Sequence, residues 1–428
     1  MLIKSHFLKP NGNRSMNLLE NHYLEIDCDG KICFFGNSTE GIVDFQNRFV
    51  LDMTDKVIIP GLIDLHTHIP QYPALGTGQG TVLEWLDRYI FPLEARFNDP
   101  EYAFYLSDVF FNDCIKLGTS TVVAYSSSSY AGTDSAFKAA KESGIRAFIG
   151  MSMMDLDSPK SLIHSTEDSI LDAKKLMSKW HDTDSGRLSY IFTPRYALTC
   201  SEDMMKKIAE IAVSEDVFIQ THLAENKEEV RRVFDKFPNH NSYTDVYNNC
   251  GLLTDKTLLA HCIYLSDYEL NLIKDKGSKI VHCASSNRFL KSGIFPFYHI
   301  RKFIPTGLGT DVAGGTSLSM LSEIKEVLET VKTHVITYNE YDENLCPTEA
   351  LWYATKGNAQ ILGIDNETGD FEPGLFADFA AFSTDRLNIL NESINCETVS
   401  CKIIYLLGNS NTDEMYIRGK RLYSSSNC

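Results

Sequence analysis

The segment VIIPGLIDLHTH, residues 57–68, decides the fold. It is an apolar run rich in isoleucine and leucine that ends in two histidines. Runs of this kind mark strands buried on both faces, as in parallel sheets. Side chains two apart in a strand share a face, so His66 and His68 can reach one point together. On a helix the same spacing would separate them by about 200°.

The texture repeats along the chain. After VIIPGLIDLH (57–66) come TSTVVAYS (119–126), RAFIGMSM (146–153), LSYIFTPR (188–195), VFIQTHLAE (217–225), TLLAHCIYL (257–265), KIVHCAS (279–285) and PTGLGTD (305–311). Helical patterns lie between most of them, such as SEDMMKKIAEIAVSE (201–215) and SDYELNLIKDKG (266–277). Eight apolar strands alternating with helices predict an α/β fold of the (β/α)8, TIM-like barrel type over residues 59–369. An open doubly wound sheet would usually carry a glycine-rich phosphate turn after its first strand, and GxGxxG does not occur here.

Both ends of the chain differ from the middle. LEIDCDGKICFFGN reads as strand, Asp-Gly turn and strand. The stretch from about 370, with GDFEPGLFADFAAF, KIIYLLGN and EMYIRGKRLY, has the same texture of short strands and turns. Residues 1–58 and 370–428 are therefore expected to build one small β-sandwich domain, since chain termini often lie close together.

Composition narrows the partners. The 428 residues, 43% hydrophobic, suffice for a sizeable core. A net charge of −17 disfavours nucleic acid or an anionic membrane. No window approaches the roughly 18 consecutive apolar residues of a membrane span, and the N-terminus MLIKSHFLKP lacks a signal core. The eleven cysteines are irregularly spaced and form no CxxC pair, which fits reduced thiols in a cytoplasmic protein.

In a barrel enzyme the active site lies at the C-terminal ends of the strands. The polar residues of this chain fall there: His66 and His68, Arg195, His222 and Glu225, His261, His282 and Asp311. Each alone is weak. With 12 histidines an accidental HxH arises roughly one time in three, a single His222 is commonly a hydrogen-bonded core residue, and Asp311 alone could cap a turn. HxH, HxxE, a further His and Thr-Asp after successive strands combine into one site only if the barrel is real. Three imidazoles and one carboxylate suit Zn2+, and Fe2+ can occupy the same set. A two-metal centre would need a bridging group such as a fourth-strand lysine, and LSYIFTPRYALT has none. One metal per chain is expected.

PGLIDLHTHIPQYPALG (60–76), LEWLDRYIFPLEARF (83–97), TPRYALTCS (193–201), QTHLAEN (220–226), AHCIYLSD (260–267) and GLGTDVAGG (307–315) carry a resemblance over most of the chain. On these segments it resembles the amidohydrolase superfamily, and within it the guanine deaminases. HxH and Thr-Asp are general to the superfamily; HIPQY, LEWL…FPLEARF and TPRYALTC are more specific. GDFEPGLFADFAAF also looks like the superfamily's return strand into its small β-sandwich. The resemblance implies that His66, His68, His222 and Asp311 ligate the metal, with Asp311 also the base. It makes Glu225 the proton-shuttling acid and sets His261 against the attacking water. Gln71, Arg195 and Tyr196 match the purine-binding positions. It further implies a homodimer.

The implied reaction is the hydrolytic deamination of guanine to xanthine and ammonia by a metal-activated water. Attack falls on C2, and Glu225 protonates N3. Arg195 offers only donors, which suits the O6/N7 edge of guanine, while Gln71 both donates and accepts. Arg195 could equally serve a structural ion pair, and Tyr196 either core packing or contact with the base. Trp85, Leu86, Tyr89 and Phe91 stand at helical spacing. Core packing of an amphipathic helix is the first account of them, and a segment covering the pocket the second. His282 is left outside the predicted site.

Two segments depart from the family pattern: CASSN (283–287), where relatives often carry CPxSN, and the loop PQYPALGTGQG (70–80). They bear on which base fits, so cytosine, 8-oxoguanine or another amino-heterocycle is the alternative substrate. A metal-free scaffold relative would typically have lost metal ligands, and all are present here. A deaminase of the cytidine type needs HxE and PCxxC, and neither occurs.

Overall fold

The computed structural model describes residues 1–425 apart from 79, 339–343 and 389–394. The N-terminal strands are β1 (Leu2–Pro10), β2 (Met16–Ile26), β3 (Ile32–Gly36) and β4 (Leu51–Pro60). The middle of the chain supplies β5 (Leu62–His68), β6 (Thr119–Tyr125), β7 (Arg146–Gly150), β8 (Ser152–Met153), β9 (Leu188–Tyr190), β10 (Thr193–Pro194), β11 (Ile219–Leu223), β12 (Thr257–His261), β13 (Lys279–His282) and β14 (Thr306–Leu308). The C-terminal strands are β15 (Phe379–Ser383), β16 (Glu414–Ile417) and β17 (Lys420–Ser424).

The eight predicted runs all contain strand, but three are divided. The first is split at Gly61 between β4 and β5, where a Cβ would stand 2.4 Å from Ser120 Oγ. Pro60 has no N–H to continue a ladder, and Gly61 lets the chain turn against β6. The runs at 146–153 and 188–195 are each broken, giving β7 with β8 and β9 with β10. The two helices quoted from the pattern both form and both start on a side-chain cap. Ser201 accepts from Met204 N at 3.0 Å to open the helix Glu202–Ser214. Ser266 and Glu269 form a capping box for Asp267–Asp275.

The middle strands form parallel ladders in the orders β5-β6-β7-β9 and β11-β12-β13-β14, with helices between successive strands. Backbone hydrogen bonds link the two sheets at both edges. Phe192 N donates to Phe218 O at 2.9 Å and Gln220 N to Phe192 O at 2.8 Å. On the other side Asp311 N donates to His66 O at 2.7 Å and His68 N to Val312 O at 3.0 Å.

Strands from both termini share one seven-stranded sheet in the order β17-β16-β15-β4-β1-β2-β3. β1 and β4 are parallel and the other neighbours antiparallel. Register shifts beside Ser5, in both ladders of β1, bend the sheet. Ile3, Phe7, Leu24, Ile58, Phe371 and Phe379 pack together on one side of it. One stretch departs from the sequence pattern. KIIYLL, read with the terminal strands, lies in the helix Cys396–Leu407. Asn395 caps it by accepting from Thr398 N at 2.8 Å, and Val399, Ile403, Ile404 and Leu407 bury one face. No helix among the described residues is long and apolar enough to cross a membrane. The ten described cysteines are free.

Candidate active site

The site is built where β5 meets β14. Asp64, fully buried, accepts from His66 N at 3.1 Å, Thr310 N at 3.0 Å and Thr310 Oγ1 at 2.5 Å. One carboxylate thus fixes the backbone of His66 against that of the residue before Asp311. Burial pushes Asp64 up to about 7 despite these donors. The chain leaves β14 with Asp311 in the left-handed region at φ 48°, and Ala224 and His261 adopt φ 50° and 70° at the ends of β11 and β12. Non-glycine residues in this region are uncommon and gather at functional sites.

Five side chains converge. His66, His222, His261 and Asp311 each offer a ligand atom, and these atoms lie within 4.8 Å of one another. His68 completes the group: its Nε2 is 3.3 Å from Nε2 of His66, 3.3 Å from Nε2 of His222 and 3.1 Å from Asp311 Oδ1. His222 Nδ1 donates to Arg195 O at 2.8 Å, so its Nε2 presents a lone pair. Burial lowers His66, His68 and His222, His68 to about 3. Burial would raise Asp311, but the imidazoles of His66 and His68, 3.2 and 3.1 Å from its Oδ1, outweigh it and hold the carboxyl well below its usual range. Neutral imidazole lone pairs crowded on one carboxylate repel one another unless a cation lies between them. His261 Nε2 is likewise buried without a hydrogen-bond partner. The donor set fits a divalent cation of the Zn2+ or Fe2+ kind.

Glu225 stands on the other side of His261. His261 Nε2 is 3.8 Å from Glu225 Oε2 and 3.9 Å from Asp311 Oδ2. Asn287 Oδ1 accepts from His261 Nδ1 at 2.8 Å, which sets the ring's orientation. Ser292 Oγ donates to Glu225 Oε1 at 2.9 Å. Burial raises Glu225, which suits a group that must hold a proton before giving it up. Behind it, Glu229 accepts from Glu225 N at 2.9 Å and from Tyr243 Oη at 2.8 Å.

These groups open on a cavity lined by His68, Gln71, Val82, Leu83, Trp85, Leu86, Arg195, Tyr196, His222, Glu225, Asn226, Glu229, His261, Leu290 and Asp311. Eight of the nine residues singled out from the sequence border it, and His66 sits behind His68. Arg195 lines the cavity and also pairs with Glu94. Tyr196 is partly buried against the core and also borders the cavity. Trp85 and Leu86 pack in the core and cover the cavity as well, and the indole N–H of Trp85 is buried without a partner. His282 faces Phe295 and Phe297 at ring distances of 4.9 and 5.3 Å, away from the lining. In the loop 70–80, residue 79 lies outside the described residues.

Sequence reasoning missed Asp64, Glu94, Tyr125, Glu229, Asn287 and Ser292. Tyr125 ends β6 with its ring 4.4 Å from that of His68. Asp64 carried a signal, being a charge inside an apolar run. Asn287 and Ser292 follow the seventh strand, in and just beyond the CASSN segment noted for its missing proline, so that loop reaches the site through side chains that the proline does not supply.

Residues 57–422 match the amidohydrolase family. The chain is 33% identical to guanine deaminase of Mus musculus, over 100% of this chain and 98% of that one. It is 34% identical to the Escherichia coli (strain K12) guanine deaminase over 82% of this chain and 78% of the other. It superposes on the crystal structure of guanine deaminase from C. acetobutylicum with bound guanine, with a TM-score of 0.93, 29% identity and 99% of each chain covered. For the E. coli guanine deaminase structure the TM-score is 0.91 at 30% identity, again over 99% of both chains. With the HxH, HxxE and Thr-Asp elements gathered at one cavity, the chain belongs to the amidohydrolase family and, within it, to the guanine deaminases.

Proposed function

We propose that this protein hydrolyses guanine to xanthine and ammonia at the cavity bordered by His68, Glu225, His261 and Asp311. One observation carries the reading: two buried carboxylates, Asp311 and Glu225, stand 3.9 and 3.8 Å from the same unpartnered nitrogen, Nε2 of His261. Such a pair can take a proton from water on one side and deliver it to a heterocycle on the other. The likeness to the guanine-bound C. acetobutylicum structure supports guanine as the base.

His66, His68, His222 and Asp311 would hold a single divalent cation, Zn2+ in the first place and Fe2+ as the alternative. When bound, the cation supplies a water whose pKa is brought from about 15.7 to near 7. Asp311 accepts the proton of the attacking water. Glu225, whose carboxyl burial raises above its usual range, donates at N3 as C2 is attacked. His261, oriented by Asn287, steadies the tetrahedral C2 centre. Asp311 then returns its proton to the exocyclic amine, the C2–N bond breaks and ammonia leaves, and Glu225 recovers a proton from the C2 hydroxyl as the carbonyl forms. Arg195 donates to the O6/N7 edge, Gln71 contributes a mixed donor and acceptor, and Tyr196 borders the ring.

The body carrying these residues is read as a (β/α)8 barrel over 59–369. The backbone bonds joining the two parallel ladders at both edges support this, as does one cluster drawing Ile63, Val123, Phe148, Leu258 and Val281 together. Residues 1–58 and 370–428 are read as a β-sandwich-like domain, supported by the shared sheet and its own apolar cluster. A homodimer and a cytoplasmic location complete the reading, the latter in keeping with the free cysteines.

Ammonia release from guanine, cytosine, adenine and 8-oxoguanine, measured with metal content, tests the function. Guanine should be turned over fastest, with about one metal per chain. Faster release from another base would replace guanine as substrate. Absence of both turnover and metal would favour a scaffold.

A further inference from the structure

Glu94 lies on the covering segment, on the helical turn Phe91–Ala95, and is 2% exposed. It does not border the cavity. Both its oxygens are nonetheless committed to residues that do. Oε2 pairs with Arg195 Nη1, and Oε1 accepts from Gln71 Nε2 at 3.2 Å. The opposite end of the Gln71 amide, Oε1, accepts from Ala313 N at 3.3 Å, two residues past Asp311. Gln71 is thereby held with its donor end toward Glu94 and its acceptor end toward the Asp311 loop. The Arg195 guanidinium lies over the Phe91 ring, 5.2 Å from its centre. Arg195 and Gln71 are 3% and 2% exposed.

A buried guanidinium needs a counter-charge, and hydrophobic packing alone would not choose its direction. A two-ended amide needs a partner at each end to fix which end faces the ligand. Glu94 meets both requirements at once. We infer that Glu94 is a positioning residue for specificity, holding Arg195 and Gln71 as one rigid edge that recognises a 6-oxo group on the purine. This rests on the assignment of guanine as substrate. A purine that keeps the 2-amino group but has no oxygen at C6 makes no use of that edge at O6. Its turnover should therefore depend little on Glu94.

The test compares guanine with 2-aminopurine in the metal-loaded enzyme, wild type against Glu94→Gln and Glu94→Asp. For Glu94→Gln, KM for guanine should rise at least 10-fold with kcat changed less. For 2-aminopurine, kcat/KM should change less than 3-fold, so the preference for guanine collapses. Glu94→Asp keeps the buried charge and protects the fold, but withdraws the carboxylate by one methylene. It should show the same selective loss for guanine in smaller measure. Equal losses on both substrates, or a fall confined to kcat, would overturn the inference. So would an unchanged preference in Glu94→Asp, even where Glu94→Gln does not accumulate. Failure of the wild-type enzyme to release ammonia from guanine would instead overturn the substrate assignment itself.

Discussion

Glu225 meets the cavity with one oxygen and Ser292 with the other, so its carboxyl has a single well-defined direction. The role proposed for it depends on carrying a proton, which a carboxamide of nearly the same shape cannot do. Glu225→Gln should therefore keep its metal content and fold while kcat falls about 10²–10⁴-fold, the usual range for a lost general acid. Near-normal turnover in that variant would remove the role given to Glu225. The neighbouring residue-scale roles were unequally visible beforehand. His66, His68, His222 and Asp311 are side chains whose types already name a metal. Ser292, Asn287 and Glu94 are ordinary polar residues until another chain segment arrives beside them.

At the scale of elements, the joint between β5 and β14 can be perturbed at Asp64 without touching a candidate ligand. Asp64→Ala would leave His66 N, Thr310 N and Thr310 Oγ1 buried without their acceptor. Each such loss costs about 1–3 kcal/mol. Urea unfolding should show a loss of at least about 3 kcal/mol, and competition with a chelator a metal affinity lower by about 10–100-fold. An unchanged metal affinity would mean that the clamp does not position His66 and Asp311.

The helix Met320–Tyr338 makes a separate, titratable contribution. Its Glu323, buried and bonded to Ser285 N at 3.2 Å, is pushed by burial up to about 8. The folded chain thus holds a proton there that the unfolded chain releases near the ordinary glutamate range. The resulting stability is complete below that range and is lost as pH rises toward 8, at roughly 1.4 kcal/mol per pH unit at most. Glu323→Gln should flatten the fall in unfolding midpoint between about pH 5 and 8. An unaltered slope would place the titration on another group.

For the whole molecule, a cation held by the converging imidazoles would tie stability to metal. A cation bound only by the folded chain adds stability by mass action, about 4 kcal/mol at a thousandfold excess over Kd. Dialysis against a chelator should lower Tm by several degrees and abolish turnover, and one equivalent of Zn2+ should restore both. A Tm indifferent to chelation would show that the five side chains are not a metal centre.

The order of elements, the eight buried strands, the capped helices between them and the clustering of histidines at strand ends were all present in the linear chain. They are local properties: periodicity, capping residues and apolar run length act within a turn or a strand. The divisions at Gly61 and near Ile191, and the helix at 396–407, were not legible, because short apolar runs are ambiguous until neighbours decide them. The metal-type residues could be named from the sequence, but their partners could not. Thr310 reaches Asp64 across 246 positions, Arg195 reaches Glu94 across 101 and Ser292 reaches Glu225 across 67. Those pairings follow from how the strands pack against one another and where the loops run, so only the tertiary structure decided that the HxH pair of the first strand would stand between a buried clamp and a cavity.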